Sequence, residues 1–266
     1  MIRKCFTVNP NRTKEEIFSY ERLLKDNIYQ GVEIFFPYKK SPADQLVYRD
    51  AISSYLKYQP EIVIHLPHGV DGNIATYQDL EQRMGWIKDA IQFASYFGIK
   101  KATLHPGACD GTLERKDAIL LAAKNIKALC RYATTFGITI MLENLIGEAE
   151  LMRTADEYFE LKALIDEPNL KFIFDVAHFH TSAFCHQTSD ILDFVDQIKD
   201  DLYHVHISDN DGTRDMHAAI GQGTIDFRTY FKKLEKIGYT GLYSSEVLFN
   251  SAEDLEKTAK AMDQQL

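Results

Sequence analysis

Apolar positions along this chain follow two alternating periods from one end to the other. Runs of about six residues, dense in Val, Ile, Leu and Phe, recur at 2–8, 31–36, 61–66, 100–105, 138–143, 170–175, 203–208 and 242–247. Runs of that length and composition predict strands buried on both faces, as in a parallel sheet. The intervening segments change to helical spacing. Ile17, Tyr20, Leu23 and Leu24 predict a helix over 15–24, and Met84, Ile87, Ile91 and Ala94 one over 80–97. Ile119, Ala122, Ala123, Ile126 and Leu129 predict a third over 117–136. FGIK at 97–100, FGIT at 136–139 and IGYT at 237–240 put Gly where a left-handed helix cap is wanted, and a strand follows each. Eight such strand–helix beats with no Pro- or Ser-rich linker predict an α/β fold, a single (β/α)8 TIM barrel filling 1–266 as one domain. An open doubly wound sheet is the alternative. It calls for a Gly-rich phosphate loop after the first strand, and VNPNRTKEE offers none.

Composition narrows the function classes. The chain carries a net charge of −9, a pI near 5.5 and 45% hydrophobic residues. That balance argues against a broad nucleic-acid surface, which rests on clustered Lys and Arg. Cys5, Cys109, Cys130 and Cys185 form no CxxC pair and read as reduced thiols. The opening MIRKCFTVNPN lacks the apolar stretch of a signal peptide, and no run has the length of a membrane span, so a cytoplasmic protein with no membrane partner is expected. GxSxG, Walker and GxGxxG patterns are all missing, which lowers the weight of nucleophilic and nucleotide chemistry.

The remaining chemistry gathers at strand ends. His65, His105, Glu143, Asp175, His206 and Glu246 each close an apolar run, at intervals of 40, 38, 32, 31 and 40 residues. Polar groups at the carboxyl ends of barrel strands converge on the working face. Glu143, Asp175, His206 and Glu246 make a mixed oxygen and nitrogen set suited to a divalent cation such as Mn, Co, Mg or Zn. Uncompensated carboxylates so crowded repel one another, and a cation removes the conflict. His204, two residues before His206, is expected to pack beneath it or support it. Glu33 is read either as supporting a ligand residue or as a buried carboxylate paired with a base. His65 and His105 suit substrate hydroxyls or further ligands, and His68 stands in the loop beyond. After strand seven, Asp215 and His217 form a D-x-H pair, with Asp209 and Arg214 as contacts to a polyol or as support for His217. His178 and His180 follow Asp175 closely.

Taken in order, HLPHG, LHPG, MLEN, FDVAH, HISDNDG, D-x-H-x-x-IGQG-x-I-D-F and SSEV resemble the xylose-isomerase-like TIM-barrel superfamily over essentially the whole barrel. That superfamily joins sugar and sugar-phosphate isomerases and epimerases with endonuclease IV-type AP endonucleases. The resemblance implies one divalent metal held by Glu143, Asp175, His206 and Glu246. It implies Glu143 and Glu246 as an acid/base pair acting through an enediolate on a small sugar, with His65, His105, Glu148 or Arg214 holding hydroxyls. Homo-oligomers are the family expectation. The nuclease branch uses nine ligands for three zinc ions, and His65, His105, Glu143, Asp175, His178, His206, Asp215, His217 and Glu246 supply every one. Charge favours the sugar reading, since Lys39 and Lys40 are the only basic pair placed to meet DNA.

Overall fold

A computed structural model describes residues 2–266. Eight parallel strands, β1 (Arg3–Val8), β2 (Gly31–Phe35), β3 (Glu61–His65), β4 (Lys101–Leu104), β5 (Thr139–Glu143), β6 (Leu170–Asp175), β7 (Leu202–Ile207) and β8 (Leu242–Ser245), pair in chain order and close on themselves as β8 meets β1. Among the described residues there are eleven α-helices: α1 (Lys14–Ser19), α2 (Glu21–Lys25), α3 (Pro42–Ser53), α4 (Gly69–Gly72), α5 (Leu80–Tyr96), α6 (Arg115–Thr134), α7 (Ala155–Ile165), α8 (Val176–Thr181), α9 (Thr188–Ile198), α10 (Phe227–Lys236) and α11 (Ala252–Asp263). The expected TIM barrel is the observed fold.

The strands alternate between two cores, as their period of two requires. Phe6, Ile34, Ile64, Leu104, Leu142, Phe174 and Val205 belong to the large core shared with the helices. Cys5, Val63, Met141, Ile173 and Leu242 form a separate, small cluster. They fill the barrel itself, in the layered manner of such folds. Polar side chains share that layer. The carboxylate of Glu33 accepts from Thr103 Oγ1 at 3.0 Å, Ser244 Oγ at 2.8 Å, His204 Nε2 at 3.1 Å and His206 Nε2 at 2.9 Å, all fully buried.

The Gly caps appear as expected, with φ of +66° at Gly98, +64° at Gly137 and +75° at Gly238. One helix differs from its expectation. The periodic run at 15–24 is split into α1 and α2 at Tyr20, whose N–H returns to Ile17 O at 3.2 Å. The buried Tyr20 ring packs edge-on against Phe6 and Phe249. Tertiary packing of that ring overrides a continuous helical pattern. Among the described residues, no helix is long and apolar enough to cross a membrane.

Candidate active site

Two residues beyond Val63, Met141 and Ile173, and four beyond Leu242, the chain reaches the carboxyl-end mouth. There Glu143, Asp175, His206 and Glu246 each bring one donor atom within 4.8 Å of the others. His206 Nδ1 lies 3.0 Å from Glu143 Oε1, 3.0 Å from Glu246 Oε2 and 3.8 Å from Asp175 Oδ2. Three further triads meet the same limit: His65, His105 and Glu143, and His178, Asp215 and His217 at the mouth, and Glu33, His204 and His206 beneath it. All nine residues of the larger expected ligand set therefore meet at one mouth, with Glu143 common to two clusters.

Hydrogen bonds fix which face each imidazole presents. A backbone carbonyl only accepts, so a ring nitrogen against one must carry the proton and the other keeps its lone pair when the ring is neutral. His65 Nδ1 donates to Leu66 O at 2.9 Å, His178 Nδ1 to Asn144 O at 3.0 Å, and His217 Nδ1 to Glu246 O at 2.7 Å. In each case Nε2 faces the carboxylates of the mouth: Glu143 at 3.5 Å from His65, and Asp215 at 3.6 Å from His178 and 2.8 Å from His217. His206 is held the other way round. Its Nε2–H donates to Glu33, and Nδ1 faces Glu143, Asp175 and Glu246.

An unprotonated Nδ1 beside three carboxylates sets lone pair against lone pair. Either a proton or a cation must lie between them. The proton form shows in the titration of the site: against the burial that would lower it, Glu33, Glu246 and Glu143 hold His206 well above the usual imidazole range. His178 is raised in the same way by Asp175 and Asp215, and His217 reaches about 9 despite its burial, through Asp215 and Glu246. Glu143 is held well below the usual range by His206 and His105, although burial opposes this. Protons do not complete the set, since Glu143 Oε2, Asp175 Oδ2 and Glu246 Oε2 are buried without a hydrogen-bond donor. Orphaned carboxylate oxygens converging on an imidazole lone pair fit a divalent ion with oxygen and nitrogen ligands.

Asp175 gives a direct test of this conflict. Burial, opposed by His178 and augmented by Glu143, raises it from 3.8 to about 6. A carboxyl whose folded pKa exceeds its unfolded value costs stability as pH rises through that window, because the fold must then hold it ionised. Asp175→Asn is therefore expected to stabilise the metal-free protein by up to about 3 kcal/mol at pH 7, at 1.36 kcal/mol per pKa unit. The Asn side chain can still cap α8 at His178 N, as Asp175 Oδ1 does at 2.7 Å. Thermal melts at pH 4 and pH 7 check it; a variant destabilised equally at both would refute the assignment of strain to Asp175.

The mouth opens into a cavity of about 690 Å³, lined by His65, His68, His105, Glu143, Leu145, Ile146, Glu150, His178, Asp215, His217 and Glu246 among others. That size suits a small molecule. Several basic groups near the mouth are paired, Lys39 with Asp71 at 2.5 Å, Arg12 with Glu16 at 3.0 Å and Arg153 with Glu157 at 3.2 Å, whereas Lys40, in the adjoining cleft with His65 and His68, makes no ion pair among the described residues.

A family model described as xylose isomerase-like TIM barrel matches residues 22–265. The chain belongs to that family. Its relatives include proteins named for two different chemistries. Fructoselysine 3-epimerase of Escherichia coli O157:H7 is 28% identical over 127 residues, 47% of this chain and 44% of the relative. A probable endonuclease 4 of Metamycoplasma arthritidis is 28% identical over 189 residues, 66% of this chain and 65% of the relative. The chain thus spans under two thirds of either curated protein. A solved D-tagatose 3-epimerase-like protein matches 98% of both chains with a TM-score of 0.77 at 24% identity, a likeness of fold.

Within this family member the structure separates residues that the sequence left together. Glu33 supports His206, and His204 joins it on the same carboxylate. His178 reaches the mouth, whereas His180 is bound through Nδ1 to Asn210 Oδ1 at 2.6 Å. Asp209 contacts no polyol space: its carboxylate is consumed by the N–H groups of Asn210, Gly221 and Gly223, each at 2.9 Å. A Cβ on Gly223 would meet Asn210 O at 2.1 Å, so the IGQG turn needs Gly there to wrap Asp209. Arg214 is exposed and stands outside the cavity lining. Glu148 is exposed too, with its carbonyl bonded to Arg115, and Glu150 lines the cavity in its place. Sequence reasoning assigned no role to Asn144. Its amide both donates to Asp175 O and accepts from Asp175 N at 2.9 Å, clamping β5 to β6 at the mouth. The signal was its place directly after Glu143 in MLEN.

Proposed function

We propose that the protein is a divalent-metal-dependent sugar or sugar-phosphate epimerase or isomerase that works by proton transfer at a carbon beside a carbonyl. The observation that carries this reading is the meeting of Glu143 and Glu246 at His206 Nδ1, 3.0 Å each, on the floor of a small-molecule cavity. Glu143 ends β5 and Glu246 follows β8, three strands further round the barrel. The two carboxylates therefore approach a substrate seated there from different sides. Glu143, Asp175, His206 and Glu246 would hold the ion, which polarises a bound carbonyl and acidifies the neighbouring C–H.

The rest falls to this chain's own groups. One carboxylate takes the carbon-bound proton, and the other returns a proton to the opposite face. Glu33 keeps the proton of His206 on Nε2, so Nδ1 stays turned to the reaction centre. His65 and His105, 5.2 Å apart between ring centroids, form the wall that meets substrate hydroxyls. The test is carbon-bound exchange: with Mn or Co added, NMR in deuterated water should show solvent deuterium entering a ketose or aldose beside its carbonyl. Absence of exchange across the ketohexoses and their phosphates would refute the reading.

One observation favours a second reading, a multi-zinc phosphodiesterase acting on abasic DNA. Three ligand triads or tetrads meet at the mouth rather than one. Three metals of that spacing would clamp a phosphodiester. The charge of −9 and the pairing of Lys39 and Arg12 weigh against it. Metal analysis and one incision assay divide the two. One ion per chain with no cleavage of an abasic-site duplex supports the epimerase; three zinc ions with chelator-sensitive incision would replace it.

A further inference from the structure

We propose that the substrate carries a second, uncharged sugar ring, and that the loops after β1 and β8 form its subsite. The proposal rests on the sugar-epimerase reading and extends it from a monosaccharide to a glycoside. Beside the cavity over the ligand clusters lies a second cleft of about 730 Å³. The two share His68, His217 and Glu246 as a common wall. Glu246 thus stands on the partition, with the reacting unit on one side and open cleft on the other. Each space alone is of a size that encloses a small-molecule ligand, roughly 300–1,000 Å³. A single sugar unit over the metal ligands leaves the second without an occupant.

The chemistry of the cleft selects a neutral ring. Apart from residues of the ligand clusters, its full charges are Arg12 and Glu16, and these are spent on each other at 3.0 Å. Arg12 is further committed to Phe249, with its guanidinium 4.7 Å from the ring centroid and Nη2 donating to the Phe249 carbonyl. Outside the ligand clusters, the lining of this cleft offers a phosphate or carboxylate no unpaired cation, and Lys40 stands in a neighbouring pocket. What the cleft offers instead is the side-chain amides of Asn9, Asn11 and Asn250, each able to donate and accept. It also offers apolar surface. Leu248 is 80% exposed, and its N–H is tied to His217 O at 2.8 Å. Phe35, stacked on His65 with centroids 4.6 Å apart, completes the wall. Amides around an apolar face match the hydroxyl rim and C–H face of a pyranose, and Leu248 joins that subsite directly to a cluster residue.

The test uses the full chain loaded with Mn. Isothermal titration calorimetry compares fructose, fructose 6-phosphate and the fructose-containing disaccharides turanose, maltulose and palatinose. At least one disaccharide is expected to bind tenfold or more tighter than fructose. Asn11→Trp and, separately, Asn250→Trp fill the cleft and should bring that affinity ratio towards one. The proposal is overturned if every disaccharide binds no better than fructose, if fructose 6-phosphate binds tightest, or if the disaccharide advantage survives both substitutions. Fructose binding without a disaccharide gain removes only the second ring, whereas failure of every compound to bind removes the epimerase reading with it.

Discussion

Glu143→Gln and Glu246→Gln are each expected to slow the proposed epimerisation by roughly 10²–10⁴-fold, the range supplied by a positioned acid or base. Gln keeps the volume and one oxygen of Glu, so the cavity should survive while the proton-transfer group is lost. The two variants should fail differently. If Glu143 and Glu246 serve opposite faces of the carbon, each variant still removes the proton from one epimer but cannot complete the inversion. Solvent deuterium would then enter one epimer in Glu143→Gln and the other in Glu246→Gln, while neither variant interconverts them. NMR of each pure epimer in deuterated water reads both rates directly. Wild-type turnover in either variant, or loss of exchange from the same epimer in both, would end the two-carboxylate mechanism.

The barrel was legible because both its periods are strong. Strands buried on two faces read as short apolar runs, and Gly98, Gly137 and Gly238 mark the return from helix to strand by their left-handed backbone. The mouth was legible because strand ends fall at regular intervals, which places six chemical residues on one rim before any contact is known. What the sequence could not show were couplings between distant strands. Glu33 lies 173 residues from His206, and no pattern in GVEIFF reveals that its carboxylate is shared by His204, His206, Ser244 and Thr103. Asp209 failed for the opposite reason. Local polarity suggested a ligand contact, but a carboxylate near Gly221 and Gly223 found their backbone N–H groups instead. The helix break at Tyr20 depends on Phe249, brought in by the closing strand, and a local pattern cannot contain it.

Glu33→Gln is expected to weaken divalent-metal binding by roughly 10–100-fold while leaving the barrel folded, the usual cost of losing a partner behind a metal-bound imidazole. Glu33 touches none of the expected ion-facing oxygens, so the effect has to pass through His206. Its carboxylate fixes the proton on His206 Nε2 and pushes electron density towards Nδ1, the atom 3.0 Å from both Glu143 and Glu246. A neutral amide gives up that push. If its NH2 faces His206, the imidazole takes the other tautomer and Nδ1–H points into the carboxylates, closing the nitrogen to any cation. Glu33→Ala is the wrong comparison, since it would leave four buried donors unpaired at about 1–3 kcal/mol each and confound metal loss with unfolding. Ser244→Ala is the right one: it removes a hydroxyl from the same carboxylate oxygen and leaves the His206 bond in place. Competition with a chromogenic chelator, alongside thermal melts, should show a large loss for Glu33→Gln and a much smaller one for Ser244→Ala. Equal losses would mean that Glu33 acts only by holding the barrel interior together, and unchanged affinity in Glu33→Gln would mean that His206 needs no partner to present Nδ1.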